Sequence, residues 1–227
     1  MPSNDRDVRQ RDLVPPARLA ECHAVVVGVG AVGRQVALQL AAVGVPKMTL
    51  IDPDTVAVEN LAPQGFWQSD LGRPKVEAVA DVAKRQFPAI EVVCVPERFR
   101  ASAVRSWPST HEVAVFCAVD AIEARTLVWD AVRDAAGFFA DGRMAAEVIR
   151  VLASGRPAAD ALYPKTLFPA REAYQGSCTA RSTIYSANIT AGLMVGQFAR
   201  WLRGRPVVPD QLLNLVAAEY HATDPAF

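Results

Sequence analysis

The stretch GVGAVGRQVALQLAAVGVPKMTLIDPD, residues 28–54, decides the fold. Gly28, Gly30 and Gly33 spell G-x-G-x-x-G, directly after the apolar run AVVV at 24–27 and before a helically patterned segment at 31–43. A turn at GVP and a second apolar strand, KMTLID, follow. Strand, glycine turn, helix and strand in that order predict a βαβ nucleotide-binding unit. Gly28 suits a tight turn, Gly30 the approach of backbone to phosphate, and Gly33 the packing of helix on strand. The amides opening the helix then face an anion, favoured by the helix dipole. Asp52 ends the second strand, where a carboxylate accepts hydrogen bonds from a ribose diol. NAD and ATP share that diol. Asp54 either assists or caps the next turn.

Outward from this unit the alternation continues. GRPKVEAVADVAKRQF (72–87) reads as a helix with Pro74 placed for its first turn. IEVVCVPERF (90–99) reads as a strand, and EVAVFCAVD (112–120) as a buried strand ending in Asp120. AIEARTLVWDAVRDAA (121–136) is the next helix, and GFFADGRMAAEVIRVLA (137–153) supplies one or two further strands. Such alternation predicts an α/β, Rossmann-like fold: a mostly parallel sheet with helices on both faces. The segment 152–181 is rich in Gly, Pro and Ser and reads as a long binding loop or lid. A long helix at 183–202 and a possible last, antiparallel strand, LLNLVAAEY, complete a chain read as one domain, 1–227, with an N-terminal arm at 1–20.

The bulk numbers exclude several classes. Hydrophobic residues make up 51% and charged residues 21%, a globular composition without disorder bias. Lys+Arg and Asp+Glu balance at 24 each, which gives no support to nucleic-acid or membrane binding through a broad basic surface. MPSNDRDVRQRDLVPP lacks the apolar core of a signal peptide, so a cytoplasmic protein is expected. The longest apolar stretch, STIYSANITAGLMVGQFARW, contains Asn188, Gln197 and Arg200 and suits a buried helix better than a membrane span. Cys22, Cys94, Cys117 and Cys178 are scattered and form no C-x-x-C, so reduced thiols are expected and no structural zinc.

The text after Asp52 separates the NAD and ATP readings. In IDPDTVAVENLAPQGFWQSDLGRPKVEA (51–78), Asp-x-Asp-x-Val is followed by Asn60-Leu61, Gln64 and Asp-x-Gly-x-x-Lys75-Val. This order resembles the ubiquitin-activating-enzyme-like adenylyltransferases, including those that activate sulfur carriers in thiamine and molybdopterin biosynthesis. The resemblance runs from VRQRDLVPP to the long helix near residue 200. It implies ATP-dependent adenylylation of the C-terminal glycine of a small Gly-Gly-tailed ubiquitin-like or sulfur-carrier protein, with pyrophosphate released. Two anions meet in that reaction, so cations and Mg²⁺ are needed where charge develops. By resemblance, Lys75 reaches the phosphates, Asn60 and Gln64 help position them, and Asp120 holds Mg²⁺. Arg9 corresponds to an arginine that enters the site of the second subunit of a homodimer. Cys178, beside Arg181, aligns with a cysteine that some members use for thioester or persulfide chemistry.

Two departures qualify the resemblance. An arginine usually precedes the glutamine, whereas this chain has Pro63, leaving Arg34 or Arg73 as substitutes. The paired Cys-x-x-Cys motifs of many members are also missing. Ordinary structural readings stand beside each assignment: Lys75 and Arg9 as solvated charges, Asp120 as a helix cap, Cys178 as a loop thiol. The other cysteines are expected to be packing residues, and the three histidines are isolated. Gly192 and Gly196 form a G-x-x-x-G step, more often internal packing than a subunit seam in a soluble helix. An NAD-binding oxidoreductase and a non-catalytic nucleotide-binding scaffold remain as rivals.

Overall fold

A computed structural model describes residues 6–107, 112–168 and 182–224. In chain order its elements are α1 (Pro16–Ala20), β1 (Cys22–Val27), α2 (Ala31–Val43), β2 (Lys47–Ile51), α3 (Leu61–Gln64), α4 (Lys75–Gln86) and β3 (Glu91–Val95). There follow β4 (Glu112–Cys117), α5 (Ile122–Val132), β5 (Phe138–Ala145), β6 (Val148–Ser154), α6 (Ile184–Leu202), β7 (Asp210–Asn214) and β8 (Glu219–Ala222). Among the described residues one eight-stranded sheet has the order β3-β2-β1-β4-β5-β6-β7-β8. Neighbours from β3 to β5 are parallel, and those from β5 to β8 antiparallel.

Burial explains the layers. Every residue of β1 is buried, as expected of a central parallel strand covered on both faces. Ala24 and Val26 turn to one face, joining Leu50 and Phe116 against Leu40 of α2, Val79 of α4 and Phe198 of α6. Val25 and Val27 turn to the other, joining Phe139 against Val128 and Trp129 of α5. Phe116, Phe138 and Phe198 pack with ring centroids 5.6–5.7 Å apart. Truncating one of these rings to alanine removes about 3–5 kcal/mol.

Strand order reverses at β1, whose neighbours are β2 on one side and β4 on the other. The crevice beyond the carboxyl ends of β1 and β4 is therefore the switch point where such sheets bind ligands. At the opposite end, the N-terminal arm docks on the last turn of α2. Arg6 Nη2 donates to the Ala42 carbonyl (2.6 Å), Gln10 Nε2 donates to the Val43 carbonyl (3.1 Å), and Arg6 lies 4.4 Å above the Phe87 ring.

Several boundaries differ from the sequence reading. β1 begins at Cys22, and Pro74 occupies the capping position of α4 rather than its first turn. β4 stops at Cys117, so Asp120 lies three residues past the strand. The expected last strand is a hairpin, β7 and β8, because Ala218 takes a left-handed φ of 54° that no turn residue advertises. Gly192 and Gly196 are exposed rather than internally packed, and a Cβ at 196 would meet nothing within 4 Å. The long helix is as read, with Thr183 accepting from the Ser186 amide as its cap. Among the described residues no helix is long and apolar enough to cross a membrane.

Candidate functional site

Three glycines shape the crevice for three reasons. Gly28 has φ of 85°, and a Cβ there would lie 2.7 Å from the Ala118 carbonyl oxygen at the end of β4. A Cβ at Gly33 would lie 1.8 Å from the Gly28 carbonyl oxygen, so only glycine lets α2 approach the strand turn. A Cβ at Gly30 would point towards the Gln64 side chain, 3.9 Å away, into the space a ligand would take. Gly30 is the N-cap of α2 and offers no side chain, and no acidic residue occupies the first turn. The helix opens towards the crevice with amides that have no partner within the helix and with the positive end of its dipole.

Asp52 stabilises this turn directly. Its Oδ2 accepts the Val29 amide (2.6 Å) and its Oδ1 the Asp54 amide (2.9 Å), with the residue only 6% exposed. Burial pushes its carboxyl above the usual range, against the two backbone hydrogen bonds that pull it down. The carboxylate therefore joins the ends of β1 and β2.

The segment 54–75 returns to where it started. The Lys75 amide donates to the Asp54 carbonyl (3.0 Å), and Thr55 bridges Pro74. Lys75 opens α4, is buried, and its Nζ reaches Asp54 Oδ2 at 2.9 Å. Asn60 Oδ1 accepts the Ala57 amide, holding the local turn. Gln64 ends α3; its carbonyl accepts from Gln35 Nε2 (3.2 Å), while its Oε1 is buried without a partner among the described residues. Glycine loop, Asp52, Asp54, Gln64 and Lys75 are thus brought to one crevice. An unpartnered amide oxygen facing the empty Cβ direction of Gly30 fits a polar ligand. A cleft of about 220 Å³ opens beside Ile51 and Val95, lined by Phe99 and Arg98, which the sequence reading did not pick out.

The other expected residues are placed variously. Arg73 is engaged by Asp81 (2.6 Å) and Asp70 (3.6 Å). Arg34 is buried, with its guanidinium 5.1 Å from the Phe66 ring. Asp120 is exposed past β4, and Ala121 caps α5 without a side-chain bond, so the cap reading of Asp120 fails. Arg9 is exposed on the arm docked at the far end of α2. That helix has 13 residues, so the arm lies about 20 Å from its own glycine loop at ~1.5 Å per residue. Cys178 and Arg181 lie outside the described residues. Burial pushes the Cys22 thiol up to about 12 and raises Cys94 and Cys117 as well, in keeping with packing roles.

A buried charged knot was also missed. Asp141 in β5 is fully buried and accepts from Arg125, from Arg143 Nε (2.7 Å) and from the Tyr163 hydroxyl (3.1 Å). Arg143 also holds the carbonyl and hydroxyl of Thr166, both at 2.9 Å. Burial lowers Arg125 from the usual arginine range and raises Tyr163. Charges inside the strand-like run FFADGRMAA were the available signal, since interior charges need partners.

The family model described as "ThiF family" matches residues 8–224. The chain belongs to the ThiF family. That membership agrees with the resemblance of residues 51–78 to ubiquitin-activating-like adenylyltransferases. Among curated relatives, a molybdopterin-synthase adenylyltransferase of Salmonella typhimurium is 35% identical over 100 residues, covering 44% of this chain and 40% of that protein. An adenylyltransferase and sulfurtransferase MOCS3 of Mus musculus is 33% identical over 115 residues, covering 50% and 25%. These matches take in less than half of each relative's length. Among solved structures, Escherichia coli MccB with MccA-N7isoASN superimposes with a TM-score of 0.78 at 16% identity, covering 99% of this chain and 73% of that one. PaaA gives 0.75 at 20% identity, covering 92% and 65%. At such identities the likeness is one of fold.

Proposed function

We propose that this ThiF-family chain adenylylates the C-terminal glycine of a small ubiquitin-like or sulfur-carrier protein, using ATP and releasing pyrophosphate. The observation that carries this reading is the convergence on one crevice of the Gly28–Gly33 turn, Gln64 and Lys75. The helix amides and Lys75 suit phosphates, and Asp52 together with the neighbouring cleft suits an adenosine. The names of the matched adenylyltransferases favour the same chemistry. Asp120, exposed and free of a capping role, would supply a carboxylate to Mg²⁺. Mg²⁺ takes one or two carboxylates with waters and substrate oxygens, and would stabilise charge growing on the α-phosphate. Lys75 stands ready at the same place, held by Asp54 until a more negative partner arrives.

Arg9 sits on an arm anchored away from its own crevice, which supports a homodimer in which each arm serves the neighbouring site. The test is exchange of labelled pyrophosphate into ATP with Mg²⁺ and a Gly-Gly-tailed carrier, alongside calorimetry of ATP and NAD. Exchange, with ATP bound more tightly than NAD, is expected. Tighter NAD binding with hydride transfer would overturn the reading in favour of an oxidoreductase. ATP binding without exchange for any carrier would favour a scaffold, the reading that Pro63 suggests.

A further inference from the structure

Two polar atoms flank the turn at Gln64–Phe66 without a partner among the described residues: Gln64 Oε1 and Arg34 Nε. Arg34 is 6% exposed, and no carboxylate pairs with it among those residues. Its Nη1 lies 3.2 Å from where a Cβ at Gly65 would stand, so the glycine lets the guanidinium come close beneath the turn. A ring face recovers only part of what desolvating a cation costs, and Phe66 offers just that. Burial correspondingly lowers the guanidinium from its usual range, opposed only by the charge of Asp70. An anion would satisfy such a cation.

The place of Arg34 says which anion. It lies in the first turn of α2, the turn whose amides open on the crevice, and Gln64 stands between the turn at 64–66 and Gly30. Arg73 is engaged by two carboxylates at the surface, whereas Arg34 is enclosed without one among the described residues. We propose that Arg34 grips the polyphosphate chain of the bound nucleotide, supplying the cation that Pro63 does not. The inference rests on the reading that a nucleoside triphosphate occupies the crevice. A guanidinium offers paired donors to phosphate oxygens, which a lysine at this position does not reproduce.

The test compares ATP, adenosine and inorganic tripolyphosphate by calorimetry on the full chain, with Arg34→Met, Arg34→Lys and the double variant Arg34→Met with Pro63→Arg. Methionine retains the apolar stem against Phe66, and a thermal melt checks each fold. Arg34→Met should weaken ATP and tripolyphosphate about ten- to a hundredfold, the usual loss for a charged hydrogen-bonding partner, and leave adenosine unchanged. Arg34→Lys should recover part, and Pro63→Arg should restore ATP in the Arg34→Met background. Equal weakening of ATP and adenosine, or none, overturns the inference and leaves Arg34 a prop for the turn. Arg34-dependent ATP binding without pyrophosphate exchange upholds it and overturns adenylylation instead. A wild-type chain that binds neither ATP nor tripolyphosphate overturns both.

Discussion

Lys75→Met separates chemistry at the crevice from stability of the fold. The lysine is 5% exposed, but its partner Asp54 has a side chain 62% exposed. Removing the ammonium therefore leaves no buried anion, because Asp54 turns to water, and an ion pair open at one end contributes about 0–1 kcal/mol. Methionine keeps the unbranched stem that packs at the start of α4. In a chain of 227 residues, a loss of about 1 kcal/mol lowers Tm by ~2–4 °C. Turnover should respond far more. A charge aimed at the reacting phosphates is worth on the order of a hundredfold, about 2.7 kcal/mol of barrier. The assays are pyrophosphate exchange at saturating ATP and calorimetric melting of the same preparation. Undiminished exchange would refute the role of Lys75. A fall in Tm as large as that from losing a core ring would refute the reasoning that the pair is open to water.

Further outcomes are expected. Asp52→Ala leaves the Val29 and Asp54 amides without their acceptor, costing about 1–3 kcal/mol each and lowering Tm on the order of 10 °C in a thermal melt. Because burial raises the Asp52 carboxyl, the folded state holds that proton more tightly than the unfolded chain. Its stabilising effect is full below the ordinary carboxylate range and is lost as pH rises through the folded value, so the pH slope in urea unfolding should lessen in Asp52→Asn. Gly33→Ala would force a Cβ to 1.8 Å from the Gly28 oxygen and should abolish nucleotide binding, whereas Gly196→Ala meets open space and should stabilise α6 by about 0.5–1 kcal/mol. Mixed Arg9→Ala and Lys75→Met subunits should regain activity towards about a quarter of wild-type sites if Arg9 serves the neighbour, since a random mixture is half heterodimer with one intact site each. Activity that stays at the level of the separate variants, with exchange confirmed by mass, refutes that arrangement.

Much of this was legible because local pattern and tertiary role coincide. The glycines, α2 and β2 follow from residue type and period alone, and the parallel sheet follows from apolar β-branched runs such as AVVV at 24–27. Motif order placed Asp52, Gln64 and Lys75, but not their partners. That Asp52 holds the Val29 amide, and Lys75 the Asp54 carboxylate, depends on how the segment 54–75 closes, which no periodicity encodes. Arg73 and Arg34 look alike in sequence, and only the fold shows one paired at the surface and the other enclosed. The last hairpin was hidden because its turn carries Ala218 where glycine or asparagine would have announced it.

The clamp of Arg143 on Thr166 gains a meaning beside the cap of Thr183 on α6. Both ends of the chain between them, 16 residues from 167 to 182, are fastened to the rigid body of the protein. The entropy of closing a span grows only with the logarithm of its length, so doubling it costs about 0.6 kcal/mol. A change in the number of residues between Thr166 and Thr183 would therefore cost the fold little.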